Sequence, residues 1–150
     1  MVDRDARDRF AELLRHLVAG QITNDDFADR LPLSSGDSAV NQIFWNGAWM
    51  LYDDLREYRL AGRYRLPREA RREVARWILF LKSDLTYEWP RLLGCFRFPW
   101  YLLNFLSLGL LGLFVRRRLL SSVNLDVWPF YRESDYEAAL ARPPYFASAL

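Results

Sequence analysis

A single cysteine, Cys95, leaves no partner for an internal disulfide, so nothing in this chain depends on oxidation to fold, and a reducing compartment suits it. A single histidine, His16, leaves no histidine pair at metal-ligand spacing. There is no glycine-rich phosphate loop and no nucleophile elbow. Period-two apolar alternation of useful length is missing as well, which argues against strands, and no internal repeat is present. Lysine is almost missing: Lys82 stands alone against twenty arginines. Arginine favours bidentate and stacked contacts, although base composition of the gene produces the same bias without any function.

What is present is a folding chain of one domain, residues 1–150, large enough for a sizeable core. It is 51 % hydrophobic, and its six Trp, eight Tyr and ten Phe are a heavy aromatic load. Net charge is +2 but unevenly placed. Residues 1–54 carry five Arg against ten acids, residues 55–118 fourteen basic residues against five acids, and residues 119–150 two against four. The head is acidic and the middle basic. The charged start, MVDRDARDRF, has no apolar h-region, so a cytoplasmic protein is expected, with the inner face of the membrane as an alternative location.

Helical spacing organises the chain. Phe10, Leu13, Leu14, Leu17 and Val18 make one apolar face of a helix from about Asp3 to Ala19, closed by Gly20. Thr23-Asn24-Asp25-Asp26 predicts the start of a short helix that carries Phe27 and ends before Pro32. Ser34-Ser35-Gly36-Asp37 reads as a loop. Val40, Ile43, Phe44, Gly47, Met50, Leu51 and Leu55 then predict one central helix, widened by Trp45, Trp49 and Tyr52. Pro67 stands where a first helical residue should, and the next helix turns Val74, Trp77, Ile78 and Leu81 inward. Its outer face holds Arg68, Arg71, Arg72 and Arg76 with Glu69 and Glu73. The tail, residues 119–150, reads as an extended piece at Val127-Trp128-Pro129-Phe130 followed by a helix from Ser134 to Ala141. The class is all-α: a single-domain bundle of about five to six helices with aromatic-rich connecting loops.

Residues 98–115, FPWYLLNFLSLGLLGLFV, contain no formal charge. Eighteen residues is the length at which a buried helix and a membrane span become hard to tell apart. Trp100 and Tyr101 at one end and Arg116, Arg117 and Arg118 at the other favour a membrane. Pro99, Asn104 and Ser107 disfavour it, and the triple arginine would have to cross against the positive-inside rule. A buried apolar helix is the expectation.

Two segments, RWILFLKSDLTYEWP at residues 76–90 and DVWPFYRESDYEAALARPPYF at 126–146, together with LLRHLVAGQITNDDF, resemble a family of small bacterial proteins of unknown function. The resemblance implies that the stretch Leu103-Asn104-Phe105-Leu106-Ser107-Leu108-Gly109 belongs to a soluble fold. It implies no catalytic residue, cofactor or metal.

Four features bear on function. Arg68, Arg71, Arg72, Arg116, Arg117 and Arg118 are candidates for contact with an anionic surface, against the plainer reading of a solvated helix face. Recognition-helix and RNA-domain signatures are missing, so nucleic acid is not the expected partner. Asp53, Asp54, Asp84, Glu88 and Asp126 come without the companions that acid–base or metal chemistry needs, and are expected to cap helices or pair with arginine. Tyr87-Glu88-Trp89-Pro90 and Trp128-Pro129-Phe130-Tyr131 put aromatic rings beside acids in loops. A ligand or partner site there would use Asp84, Glu88, Trp89, Asp126 and Trp128; the plainer reading is that these rings plug the ends of the bundle. The expected function is a non-catalytic protein-interaction or regulatory module, with another protein as partner. The alternative is a membrane-associated protein anchored through residues 98–115 and the arginines 116–118.

Overall fold

A computed structural model of the chain describes residues 1–53, 55–89, 125–141 and 143. The 98–115 run, Cys95, Asp54 and the arginines 116–118 lie outside the described residues. Five α-helices are described: α1 (Arg4–Val18), α2 (Asn24–Asp29), α3 (Ser38–Asn46), α4 (Arg68–Leu81) and α5 (Glu133–Ala141). Three 3-10 turns accompany them, at Ala48–Leu51, Gly62–Tyr64 and Leu125–Val127. The described residues contain no strand, so the fold is all-α.

Local chemistry sets most of the helix ends. Asp3 caps α1 by accepting the Ala6 N–H at 3.0 Å. At the other end Gly20 takes φ +68°, the left-handed region that a Cβ disfavours. The Gly20 N–H donates to the Leu17 carbonyl and the Gln21 N–H to that of His16, the paired bonds of a Schellman stop. Thr23 and Asp26 form a reciprocal capping box at the start of α2. Asp37 caps α3, accepting the Ala39 N–H at 2.8 Å. Pro67 is the cap and not the first helical residue: its carbonyl accepts the Arg71 N–H, and α4 starts at Arg68, one position later than the sequence suggests.

α1 packs against α2, α3 and α4, and α4 also packs against α3 and α5. Phe10, Leu14, Leu17, Phe27, Val40, Ile43, Phe80 and Leu81 are buried between them. Each of these large side chains is worth about 1.5–3 kcal/mol relative to exposure.

Two elements depart from expectation. The central helix does not run to Leu55. It ends at Asn46, and Ala48–Leu51 follows as a 3-10 turn. A Cβ at Gly47 would stand 2.7 Å from the Trp77 indole, so the chain passes that ring too closely for any side chain and leaves the helical path there. The consequence is that Met50 and Leu55 face outward, at 80 % and 88 % exposure. The piece at Val127–Phe130 is not extended either: Leu125–Val127 is a 3-10 turn, and a cis Trp128–Pro129 bond follows it. This turn lets Phe130 reach the core, edge-on to Phe80 at 5.1 Å between ring centroids.

Candidate functional site

The sequence-selected residues separate into two places. Asp84 is exposed at the end of α4 and pairs with Arg4 at 3.2 Å. Arg4 also donates to the Leu81 and Ser83 carbonyls, so it ties the start of α1 to the end of α4. Asp8 belongs to the same cluster and receives Lys82 at 2.9 Å. Burial pushes the Asp8 carboxyl up, but the hydrogen bond from Lys82 and the charge of Arg4 pull it further down, and the net shift is below the usual carboxylate range.

Glu88, Trp89, Asp126 and Trp128 come together along a different seam, where residues 87–89 meet 126–132. Trp89 is buried and its Nε1–H donates to the Phe130 carbonyl at 3.1 Å. The Trp128 indole donates to the Tyr87 hydroxyl at 3.2 Å and stands edge-on to Trp77. Burial raises the Tyr87 phenol above its ordinary value, despite that donated bond. Glu88 faces Arg132 at 3.8 Å, an exposed pair worth about 0–1 kcal/mol. The Asp126 backbone carbonyl receives Arg76. Both indole N–H groups thus point inward, and the two tryptophans close the seam between α4 and the tail.

The basic outer face of α4 is exposed at Arg68 and Arg72 and half-buried at Arg71 and Arg76. His16 lines an open depression of about 290 Å³ on α1 with Asp8, Arg9, Glu12, Leu13 and Arg30. Among the described residues no cluster of His, Cys, Asp and Glu could hold a metal ion. None of the described helices is long and apolar enough to cross a membrane.

Two polar centres escaped the sequence. Arg7 is buried at 1 % exposure and grips Asp37 with two prongs, Nε to Oδ2 at 2.6 Å and Nη2 to Oδ1 at 3.2 Å. Its Nη1 donates to the Ser83 and Leu85 carbonyls at 3.0 and 2.8 Å, and its guanidinium lies 5.5 Å from the Phe80 ring. The one available signal was position: Arg7 stands three residues before Phe10 and seven before Leu14, on the apolar stripe. Asn24, also buried, donates to the Asp53 and Arg56 carbonyls and accepts the Tyr58 N–H at 2.7 Å. It ties Asp53, Arg56 and Tyr58 to the start of α2.

The exposed aromatic surface lies elsewhere, on the end of α3 and the turn after it. Trp45 and Trp49 are 56 % and 42 % exposed, with ring centroids 5.4 Å apart. Both rest edge-on against buried Phe44, at 4.9 and 5.7 Å. The sequence placed these two rings on the core side of a longer helix; Trp45 is exposed on the last turn of α3, and Trp49 on the turn that follows the break at Gly47. The chain matches no model of a protein family, no curated protein and no solved structure.

Proposed function

We propose that the protein is a non-catalytic interaction module that docks a larger partner through the surface made by Trp45, Trp49 and Met50. The observation that carries this reading is the exposure of two packed tryptophans on a rigid base. Large aromatic rings in water are costly for a monomer, and they are the side chains that dominate binding energy when a partner covers them. Phe44 below and the Gly47–Trp77 contact behind fix their position, so little ordering entropy is lost on docking.

Cross-linking in cells tests the reading. A tagged wild-type chain and a Trp45→Ser/Trp49→Ser variant would be cross-linked before lysis and purified under denaturing conditions. Cross-linked species held by the wild type and lost from the variant are the result expected for a protein partner; an identical set from both removes a protein from this surface. The second reading, membrane attachment through residues 98–115 with Arg116, Arg117 and Arg118, is supported by the uncharged run itself. Resistance of the expressed protein to both high-salt and carbonate washes of membranes would support it, and recovery in the soluble fraction would remove it.

A further inference from the structure

We infer that the partner of this surface is an anionic lipid bilayer, met by Trp45, Trp49, Met50 and Leu55 together with the arginines that follow them. This rests on the docking reading above and names its partner. Met50 and Leu55, at 80 % and 88 % exposure, project almost wholly into solvent. Projecting apolar side chains beside half-exposed tryptophans suit a bilayer interface: indole rings settle at headgroup level while aliphatic chains reach the acyl boundary.

Charge supplies the second half of the argument. Residues 45–76 hold eight Arg against five acids, Asp53, Asp54, Glu57, Glu69 and Glu73. Arg56, Arg59, Arg63 and Arg65 are exposed. They are joined to the aromatic surface through a chain of contacts. Trp49 lies 6.3 Å from Tyr52, the Asp53 N–H donates to the Tyr58 hydroxyl, and the Tyr58 ring meets Tyr64 at 4.8 Å, tilted by 44°. The Arg63 guanidinium covers the Tyr64 ring at 4.7 Å. Guanidinium groups bind lipid phosphates as two-pronged donors and are drawn to an anionic leaflet.

Other occupants fit less well. A second copy would bring the same arginines face to face across a two-fold axis. Single-stranded nucleic acid would use the rings and the arginines but leaves Met50 and Leu55 without a role.

Vesicle flotation of the full-length protein decides the matter. The expected result is binding to phosphatidylcholine vesicles containing about 30 % phosphatidylglycerol, and clearly weaker binding to phosphatidylcholine alone. Met50→Ser/Leu55→Ser should weaken binding to the anionic vesicles about tenfold. These side chains touch little of the core, so the circular dichroism and melting curve of this variant should match the wild type. Arg59→Glu/Arg63→Glu should weaken binding similarly and remove its salt dependence. Every variant keeps residues 98–118, so these differences report on the 45–65 surface alone. No vesicle binding, equal binding to both vesicle types, variants that bind like wild type, or a preference for a single-stranded oligonucleotide would each overturn the inference. Absent vesicle binding combined with cross-links lost from the tryptophan variant would leave the docking module standing and remove only the lipid.

Discussion

Asp37→Asn is the perturbation that most directly tests how this bundle is held together. The substitution preserves shape and keeps an oxygen for the Ala39 N–H, so the cap of α3 survives. What it removes is the negative charge opposite Arg7, whose side chain is 1 % exposed, together with the oxygen that accepts from Arg7 Nε and the Asp3 N–H. Removing one partner of a buried ion pair typically costs about 3–5 kcal/mol, because the remaining charge stays in low dielectric. The Ser83 and Leu85 carbonyls still accept from Arg7, which places the expected loss near the lower end, about 3 kcal/mol. Domains of this kind are stable by only about 5–15 kcal/mol. In urea unfolding followed by tryptophan fluorescence, the midpoint should fall by about 1–2 M. The melting temperature should fall by roughly 6–12 °C. In a double-mutant cycle, Arg7→Met/Asp37→Asn should lose less than the two single variants added together, since the orphaned charge is gone. A loss under about 1 kcal/mol for Asp37→Asn, or strict additivity in the cycle, would show that the pair does not hold α1 to α3.

The same pair sets the acid response. Burial pushes the Asp37 carboxyl up, but the hydrogen bonds from Arg7 and from the Asp3 and Ala39 N–H groups pull it further down, and the net shift is below its ordinary 3.8. A carboxyl lowered by folding contributes stability above its unfolded value and loses it as pH falls through the folded one. Urea midpoints should therefore hold from neutral pH to about pH 5, then drop below about pH 4, and this drop should be shallower in Asp37→Asn. Gly47→Ala should cost about 1–3 kcal/mol in thermal unfolding, because its Cβ would meet the Trp77 ring at 2.7 Å; an unchanged melting temperature would mean the two segments separate freely. Asn24→Ala removes three hydrogen bonds from the 53–58 loop and should cost about 2–3 kcal/mol. Limited proteolysis should then cut within that loop before any other described segment, and wild-type resistance there would refute the role given to Asn24. Trp89→Phe keeps a ring in the seam but deletes the bond to the Phe130 carbonyl; a loss of about 1–2 kcal/mol in chemical unfolding is expected, and none would mean that carbonyl finds water instead.

The all-α class and four of the five helix positions were legible because each is written within a few residues. A 3.6-residue apolar period, an Asp or Thr at the cap, Gly20 after α1 and Pro67 before α4 act over distances that a linear reading covers. The α3 helix was legible only at its start. It ends at Gly47, where the backbone passes too close to the Trp77 ring, thirty residues further along, for any side chain. The tryptophans on either side of that point, Trp45 and Trp49, lie on the surface and not in the expected core.

The candidate site shows the same division. Trp89 and Trp128 do lie along one seam, where their indole N–H groups bond to Phe130 and Tyr87. Asp84 was grouped with them but pairs instead with Arg4, eighty residues away. In the sequence only its place on the apolar stripe of α1 separates Arg7 from the other nineteen arginines. Only the packing of α1, α3 and α4 buries it and brings Asp37, Ser83 and Leu85 to its guanidinium. The sequence by itself determined where helices begin and which faces are apolar, since these follow from backbone geometry and neighbouring side chains. The tertiary structure decided which polar groups are buried, which tryptophans are exposed and where α3 stops, because each depends on atoms brought together from distant parts of the chain.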